Sequence, residues 1–368
     1  KLDTSHTYIN GFFNKTLPES QILVSASSLV DQISGCTFYR ISENFDYFIS
    51  LHKPIQISEN IFEYANDQIT APSPIEVHFN DHITIKKCIF INSINRVKLG
   101  NVFYCSSEYE ITANFESCEF INCGRSVDEM IIKIDNIYST VNMNNCSFKF
   151  DDSQNSGKII DASISNVHII GCTFFQCGEI NVDIKNDKGV FEYRNNIESF
   201  NTQQFLNILN IRVKPILSNN VFQNNYLHNS YFIRILHDLD QISFDNNTFS
   251  NCSASSDYDF KIYGGAISLL IEKSDNSQCE IIFNQCKFYE NQNCHISSDL
   301  AQGGALQLGF ISSAANVSVE FNDCEFKKNA CLNGFGGALG INIANNLTLS
   351  NCIFEDNTAL KKGGAVYI

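Results

Sequence analysis

The chain has 368 residues, of which 43% are hydrophobic, and 25 basic against 40 acidic residues give it a formal net charge of −15. This acidic balance disfavours nucleic acid and anionic membrane surfaces as partners, because both are bound through basic faces. No apolar run has the length of a membrane span, so we expect no direct membrane insertion by this segment.

A short pattern recurs along almost the whole chain. Two apolar residues alternate with variable ones, then a Cys or Asn follows, then an apolar residue that is usually Phe, and three residues later another Asn or Cys. The last copy runs from Leu347 through Cys352 and Phe354 to Asn357. Successive copies lie 24 to 39 residues apart, and a period of this size predicts a stacked array of similar units. Aligned on the first Cys or Asn, the twelve copies are centred at positions 36, 60, 88, 118, 146, 172, 196, 220, 247, 286, 324 and 352.

The parity of the apolar residues predicts two strands and two bends in each copy. Val319 and Phe321 share one face of a strand, because side chains alternate along a strand. Cys324 and Phe326 also share a face, but with the opposite parity, so residues 322–323 must bend the chain. A second bend follows Phe326. The sequence therefore predicts an all-β fold, a right-handed parallel β-helix of about twelve coils that forms one domain over residues 1–368.

Stacking of such coils places like residues on like residues. We expect a buried ladder of Phe residues beside ladders of Cys and Asn at the bends. The copy centred at position 196 departs from the pattern, because Glu198 stands where a core apolar residue belongs; either the register is shifted by one there or the coil is distorted. The predicted ladder residues are Cys36, Cys88, Cys118, Cys146, Cys172, Cys286, Cys324, Cys352, Phe288, Phe326, Phe354, Asn291, Asn329 and Asn357.

The region 253–368 adds a second motif, Gly-Gly-Ala followed by an apolar residue, which starts at positions 264, 303, 336 and 363. Paired glycines permit a tight corner and a close backbone approach. Together with the spacing of Phe288–Asn291 and Phe326–Asn329, this motif resembles the repeats of the chlamydial polymorphic membrane proteins, which also occur in surface proteins of some protists. The resemblance implies a right-handed β-helix on a cell surface, often as an adhesive passenger.

Longer loops are also expected in the region 253–368. The intervals 247–286 and 286–324 are 39 and 38 residues, against 24 to 30 elsewhere. Insertions in a solenoid become surface loops and often line a binding face, although neutral variation of loop length is the alternative. The candidate binding residues on these loops are Ser253, Asp257, Asp259, His295 and Asp299.

Cysteines and glycosylation sequons together favour an extracellular or cell-surface location. The chain has 15 cysteines, and we expect the regular ones to be free and Cys279 to pair with Cys294 or Cys331. The sequence starts without Met and stops inside a repeat, from which we expect a segment of a longer protein after signal removal. The candidate glycosylation sites are Asn14, Asn145, Asn246, Asn251, Asn316 and Asn346.

The candidate catalytic clusters give only weak support for an enzyme. The carboxylates of Asp81-His82, Asp151-Asp152 and His237-Asp238 with Asp240 are not repeated on neighbouring copies, as a polysaccharide-cleaving site would require. The cysteines lack the tight spacing of zinc sites, and the best cluster joins Cys294-His295 to Cys286. We therefore predict no catalytic residue, no cofactor and no metal.

These observations lead to a non-enzymatic secreted or cell-surface β-helix that acts in adhesion or partner binding. Its partner would be a protein or glycan on another cell or in an extracellular assembly. One alternative is a structural subunit of an extracellular filament, coat or appendage, with self-association. The second alternative is a polysaccharide lyase or hydrolase.

Overall fold

The computed structural model describes residues 7–9, 12–15, 24–26, 30–40, 49–64, 75–93, 100–123, 130–151, 158–164, 166–177, 180–184, 189–199, 206–209, 214–228, 233–236, 241–255, 264–271, 278–294, 302–310, 316–341 and 345–368. Within these ranges the chain forms strands joined by turns and bends, and no helix that could cross a membrane is found. The strands of successive coils pair in parallel, which confirms the predicted β-helix. Its right hand stays a prediction. The chain divides into two compact units, residues 1–189 and 190–368.

Unit 1 contains three parallel sheets that the chain visits in turn. The first sheet has the strands Thr7–Ile9, Val30–Ser34, Gln56–Ser58, Asp81–Lys86, Ile111–Glu116, Thr140–Asn144 and Asn166–Ile170. The second has Phe12–Lys15, Thr37–Arg40, Ile61–Tyr64, Ile89–Ile91, Glu119–Ile121, Ser147–Lys149 and Thr173–Phe175. The third has Val24–Ala26, Ile49–Leu51, Ile75–Val77, Gly100–Cys105, Met130–Ile134, Lys158–Ile164 and Ile180–Ile184.

Unit 2 repeats the first two sheets and replaces the third in its later coils. Its first sheet has Val190–Arg194, Ile216–Ser218, Gln241–Asp245, Gln278–Asn284, Asn316–Asn322 and Asn346–Ser350. Its second sheet has Ile197–Ser199, Val221–Gln223, Thr248–Ser250, Lys287–Tyr289, Glu325–Lys327 and Ile353–Glu355. The strands Leu206–Leu209 and Ile233–Leu236 belong to the third sheet.

Two further sheets in unit 2 accompany the Gly-Gly-Ala motif. The fourth sheet has Tyr226–His228, Ser253–Ser255, Gln292–Asn293, Ala330–Cys331 and Thr358–Ala359. The fifth sheet has Ile267–Ile271, Leu306–Phe310, Leu339–Ile341 and Val366–Tyr367. All twelve aligned positions lie between a first-sheet strand and a second-sheet strand, and the strands Thr7–Ile9 and Phe12–Lys15 form one coil before the first copy.

The predicted bends are made by single residues in the left-handed backbone region. The residue before each of the twelve aligned positions has a φ between 50° and 67°, and Asp323 in the bend at 322–323 has a φ of 53°. A second set of left-handed residues, such as Lys328, precedes the second Cys or Asn. This conformation is unfavourable for residues with a Cβ, so hydrogen bonds must compensate. Most of these residues donate their N–H to the next coil, as Lys87 does to the Glu116 carbonyl at 2.8 Å.

The predicted Phe ladder fills the interior. In unit 1 the rings stack with centroids 4.4–5.2 Å apart from Phe38 through Phe62, Phe90, Phe120 and Phe148 to Phe174. In unit 2 they stack 4.7–5.0 Å apart from Phe222 through Phe249, Phe288 and Phe326 to Phe354. These side chains are at most 1% exposed, except Phe354, which is half-buried in the last coil. The ladder is therefore confirmed as the core.

Asn residues in the bends hold successive coils together. The Asn329 Oδ1 accepts the Asn291 backbone N–H at 3.1 Å, and its Nδ2 donates to the Phe288 carbonyl at 2.9 Å. The Cys324 Sγ donates to the equivalent Phe283 carbonyl at 3.3 Å. Cys thus reproduces the bond to the carbonyl that Asn makes through its Nδ2, which explains why the two residues alternate at these positions. The predicted ladder cysteines and asparagines are buried, apart from Cys352 and Asn357, which are half-buried.

The irregular copy keeps the regular register. Ile197 pairs with Val221 and Glu198 pairs with Phe222, and the preceding bend has its left-handed residue, Asn195, with a φ of 56°. Neither a shifted register nor a distorted bend is therefore found. The Glu198 side chain itself occupies the ladder position and is 0% exposed.

Candidate functional site

The lengthened segments of unit 2 flank the fifth sheet. Segments 256–263 and 295–301 connect the fourth sheet to the fifth, and segments 272–277 and 311–315 connect the fifth sheet back to the first. The strands that begin and end these segments are paired on adjacent coils, with Ser253 opposite Gln292 and Ile267 opposite Leu306. The two segments that leave the fourth sheet therefore start and finish beside each other, and so do the two that leave the fifth sheet, at the opposite end of the fifth-sheet strands. We call the outer face of this sheet, together with both ends of its strands, the fifth-sheet surface.

The predicted binding residues are only partly described. Ser253 was expected on a loop, but it lies in the strand Ser253–Ser255, half-buried, and its N–H donates to the Asn225 carbonyl at 2.8 Å. The fourth sheet, which the repeat pattern did not reveal, extends the chain for three residues past the bend. Asp257, Asp259, His295 and Asp299 lie outside the described residues.

The glycine pairs allow the coils to approach closely where the chain enters each fifth-sheet strand. A Cβ on Gly304 would stand 2.0 Å from the Gly337 carbonyl oxygen, closer than atoms can approach. The Gly304 N–H donates to the Gly336 carbonyl at 2.9 Å, so the glycines of adjacent coils hydrogen-bond directly. The buried Asn293 Nδ2 donates to the Gln302 carbonyl at 2.9 Å and thereby holds the chain that enters the corner. These hydrogen bonds hold the glycine corners in place, and with them the ends of the segments that lead into the fifth sheet.

Two glutamines on this surface were missed by the sequence analysis. Gln307 lies on the outer face of the fifth sheet between the inward-pointing Leu306 and Leu308, yet it is 1% exposed. Its Oε1 and Nε2 and the Oε1 of Gln302 are buried without a hydrogen-bond partner. The sequence does not reveal that a single glutamine at an outward strand position is buried, because its burial depends on neighbouring coils.

Unit 1 has a polar groove at the predicted Asp81-His82 pair. The groove has a volume of about 610 Å³ and its lining includes Asp81, His82, Glu108 and Glu110. The Asp81 Oδ1 lies 2.7 Å from the His82 Nδ1, and hydrogen bonding from His82 lowers the pKa of Asp81. The carboxylates of Glu108 and Glu110 come from the next coil, since Asp81 pairs with Ile111. Carboxylates do therefore gather on adjacent coils here, contrary to the expectation from the sequence.

The other candidate acidic clusters do not form a described site. The exposed Asp151 joins two bends: its Oδ2 accepts the Asn122 Nδ2 at 2.7 Å, and its N–H donates to the Asn122 Oδ1 at 2.8 Å. Asp152, His237, Asp238 and Asp240 lie outside the described residues.

The cysteines are thiols in the structure, and all of them fall in described ranges. None of the fifteen forms a disulfide, so the predicted pairing of Cys279 with Cys294 or Cys331 is not found. Cys279 belongs to the first sheet, whereas Cys331 belongs to the fourth. Burial raises the pKa of Cys331 to about 11 and that of Cys105 to about 12, which keeps both thiols protonated. In the described part of the chain no group of three or more His, Cys, Asp or Glu residues could hold a metal ion.

Five of the six sequon asparagines have described side chains, and all five are exposed: Asn145, Asn246, Asn251, Asn316 and Asn346. The side chain of Asn14 is not described. The Asn246 Nδ2 donates to the Asn219 Oδ1 at 2.9 Å, a bond that an attached glycan would have to replace in part. Accessibility therefore permits glycosylation at these five sites, and the modification itself stays a prediction.

No family model, curated protein or solved structure matches the chain. The resemblance to the polymorphic membrane protein repeats therefore depends on the motifs alone.

Proposed function

We propose that the chain is a non-enzymatic β-helix, secreted or on a cell surface, that binds a partner through the fifth-sheet surface. One observation supports this proposal above the others: the lengthened segments of unit 2 begin and end side by side in two pairs, each on adjacent coils. A solenoid that carries adjacent long connecting segments is a frequent design of binding proteins. The partner is a protein or glycan on another cell or in an extracellular assembly.

The interior of unit 2 supports a scaffold role. Its bends are held by hydrogen bonds between coils, such as the Asn220 Nδ2 to the Tyr193 carbonyl at 2.9 Å. We expect changes in the four lengthened segments to leave these bonds and the Phe ladder in place. The segments can therefore vary in sequence and length at low cost in folding free energy.

Deletion of residues 258–263 should abolish attachment to partner cells and leave folding intact. The deletion leaves two residues between Ser255 and Gly264, as the last coil has between the equivalent Leu360 and Gly363, so the melting temperature should fall by less than about 5 °C. Attachment of fluorescent purified protein to cells gives the readout. As a matched control, deletion of 152–157 in unit 1 removes a connecting segment of similar length and should leave attachment unchanged. Wild-type attachment by the first variant would contradict the proposal and favour the filament or coat alternative.

The groove at Asp81 favours a second candidate, a polysaccharide hydrolase, because it gathers three carboxylates. The general acid of a glycosidase needs a raised pKa, whereas the hydrogen bond from His82 lowers the pKa of Asp81. Asp81 is therefore ionised and unsuited to donate a proton. Polysaccharide cleavage by the wild-type protein that is lost in Glu110→Gln would overturn the non-enzymatic proposal.

A further inference from the structure

Two grooves on the outer face of the first sheet of unit 1 adjoin at His82, which lines both. The larger has a volume of about 610 Å³ and crosses the starts of the strands Asp81–Lys86 and Ile111–Glu116. The smaller has a volume of about 440 Å³ and lies further along the same strands. We call the two together the first-sheet groove. Ligand sites commonly have volumes of about 300–1,000 Å³, so each part has room for a small ligand.

The first-sheet groove is open to solvent and polar along its length. Its amides, hydroxyls and carboxylates belong to residues that include Gln56, Asn80, Thr84, Glu108, Glu110 and Thr112. Four of these six residues are exposed and the two threonines are half-buried, so a ligand in solution can reach them.

The lining fits a sugar chain better than a protein segment. Each central strand is paired on both sides, so the groove offers no free sheet edge to which a peptide could add as a strand. Its apolar residues are Pro54 and the buried Ile55 and Ile111, whereas protein interfaces have an apolar centre with aromatic anchors. Sugar hydroxyls donate and accept hydrogen bonds, as the amides and hydroxyls of the groove do.

The larger part of the groove carries negative charge that no cation neutralises. Within the described part of the chain, Glu108 and Glu110 form no ion pair, and hydrogen bonding from His82 lowers the pKa of Asp81, which is ionised. The Lys86 ammonium is already bound to Glu116 at 2.9 Å. No three of the described acidic and histidine side chains could hold one metal ion. Charge spread in this way favours an extended ligand with several positive groups.

An exposed aromatic residue follows the lining of this part. Tyr138 is 59% exposed, and its N–H donates to the Oδ1 of the lining residue Asn136 at 2.8 Å. Aromatic rings pack against apolar faces and attract ammonium groups. The ring is therefore available to a ligand that extends past Asn136.

We propose that the first-sheet groove binds a glycan with amino groups, such as an oligomer of glucosamine. The sugar hydroxyls bond to the amides and hydroxyls of the groove, and the ammonium groups lie near Asp81, Glu108 and Glu110. Hydrogen bonds between ionised partners are stronger than those between neutral ones. The groove belongs to unit 1 and the fifth-sheet surface to unit 2, so this inference adds a second ligand to the proposed function.

The test is calorimetric titration of the purified full chain with a glucosamine tetramer at about pH 6, where the carboxylates are ionised. The double variant Glu108→Gln with Glu110→Gln should bind at least about fivefold more weakly, because it loses two charge pairs. The matched control, Glu59→Gln with Glu119→Gln, removes two charges from exposed positions outside the groove and should bind like the wild type. Melting curves check that all three proteins are folded.

Two further ligands separate charge from sugar recognition. The N-acetylglucosamine tetramer has similar hydroxyls without the charge, and tetralysine has the charge without the sugar; both should bind at least about fivefold more weakly than the glucosamine tetramer. Absence of binding by the wild type, wild-type affinity in the groove variant, or equal affinity for the N-acetylated tetramer would overturn the inference. Tighter binding of tetralysine would assign the groove to a basic peptide instead. Each of these results leaves attachment through the fifth-sheet surface untouched, because the deletion in unit 2 tests it separately.

Discussion

Phe288→Asp is expected to prevent folding of the chain. Phe288 is 0% exposed and stacks between Phe249 and Phe326 with centroid distances of 5.0 and 4.8 Å. The substitution removes both ring contacts and places a carboxylate in the ladder without a partner. Loss of a buried Phe costs about 3–5 kcal/mol and burial of the charge adds several more, which together equal the whole stability of a typical domain.

The control for this variant is the same substitution on the outer surface. Phe175 lies at the end of a second-sheet strand and is 36% exposed. Phe175→Asp should fold and melt within about 3 °C of the wild type, because an exposed residue loses little on substitution. Circular dichroism and soluble yield give the comparison. A Phe288→Asp protein with wild-type yield and melting temperature would show that position 288 is not in the core.

Glu198→Gln is expected to remove a pH dependence that the wild type shows. The Glu198 carboxyl is fully buried in the ladder position, its Oε1 accepts the Tyr193 hydroxyl, and its Oε2 has no partner. Burial raises the pKa of Glu198 well above 4.5, although the Tyr193 hydrogen bond opposes this. The folded protein therefore favours the protonated acid.

The sign of the effect follows from linkage. Because the pKa is higher in the folded state, the protonated acid contributes its full stability below the unfolded-state pKa near 4.5, and this contribution is lost as pH rises through the folded-state pKa. The wild type should lose about 1.4 kcal/mol for each pH unit between 4.5 and the folded-state pKa, and nothing further above it, because the carboxyl is then ionised in both states. Glutamine keeps the shape and the acceptor for Tyr193 but does not titrate. Urea unfolding from pH 4 to pH 9 should show the two proteins equal at pH 4 and the variant more stable at pH 8.

The double substitution Tyr193→Phe with Glu198→Phe provides a further comparison. It removes the buried polar pair and supplies a ring opposite Phe222, so it should be at least as stable as Glu198→Gln at every pH. Parallel pH profiles for the wild type and Glu198→Gln would contradict the burial of an ionisable carboxyl in the ladder.

The repeat was sufficient to predict the coils, their bends and the residues that point inward. The reason is physical: strand alternation fixes the side of each residue, so the parity change between Phe321 and Cys324 requires a bend, and Asp323 makes it. Stacking then follows because each coil repeats the same pattern, and Phe288 meets Phe326 in register.

The surface was harder to predict, because it depends on distances between coils. Glu108 and Glu110 looked unrelated to Asp81 until the pairing of Asp81 with Ile111 placed them in one groove. Gln307 looked like an ordinary outward residue, yet it is 1% exposed. The fourth sheet was missed because strands as short as Gln292–Asn293 show no alternation.

The cysteines give the most direct test of the stacked architecture, which requires them to be buried thiols rather than a disulfide framework. Iodoacetamide labelling, followed by mass spectrometry of the non-reduced protein, should modify all fifteen cysteines after unfolding in urea. In the native protein the half-buried Cys294 and Cys352 should react first, while ladder residues such as Cys118 and Cys324 stay protected. A disulfide-linked peptide pair in material unfolded without reductant, or rapid native labelling of Cys118 and Cys324, would contradict the account.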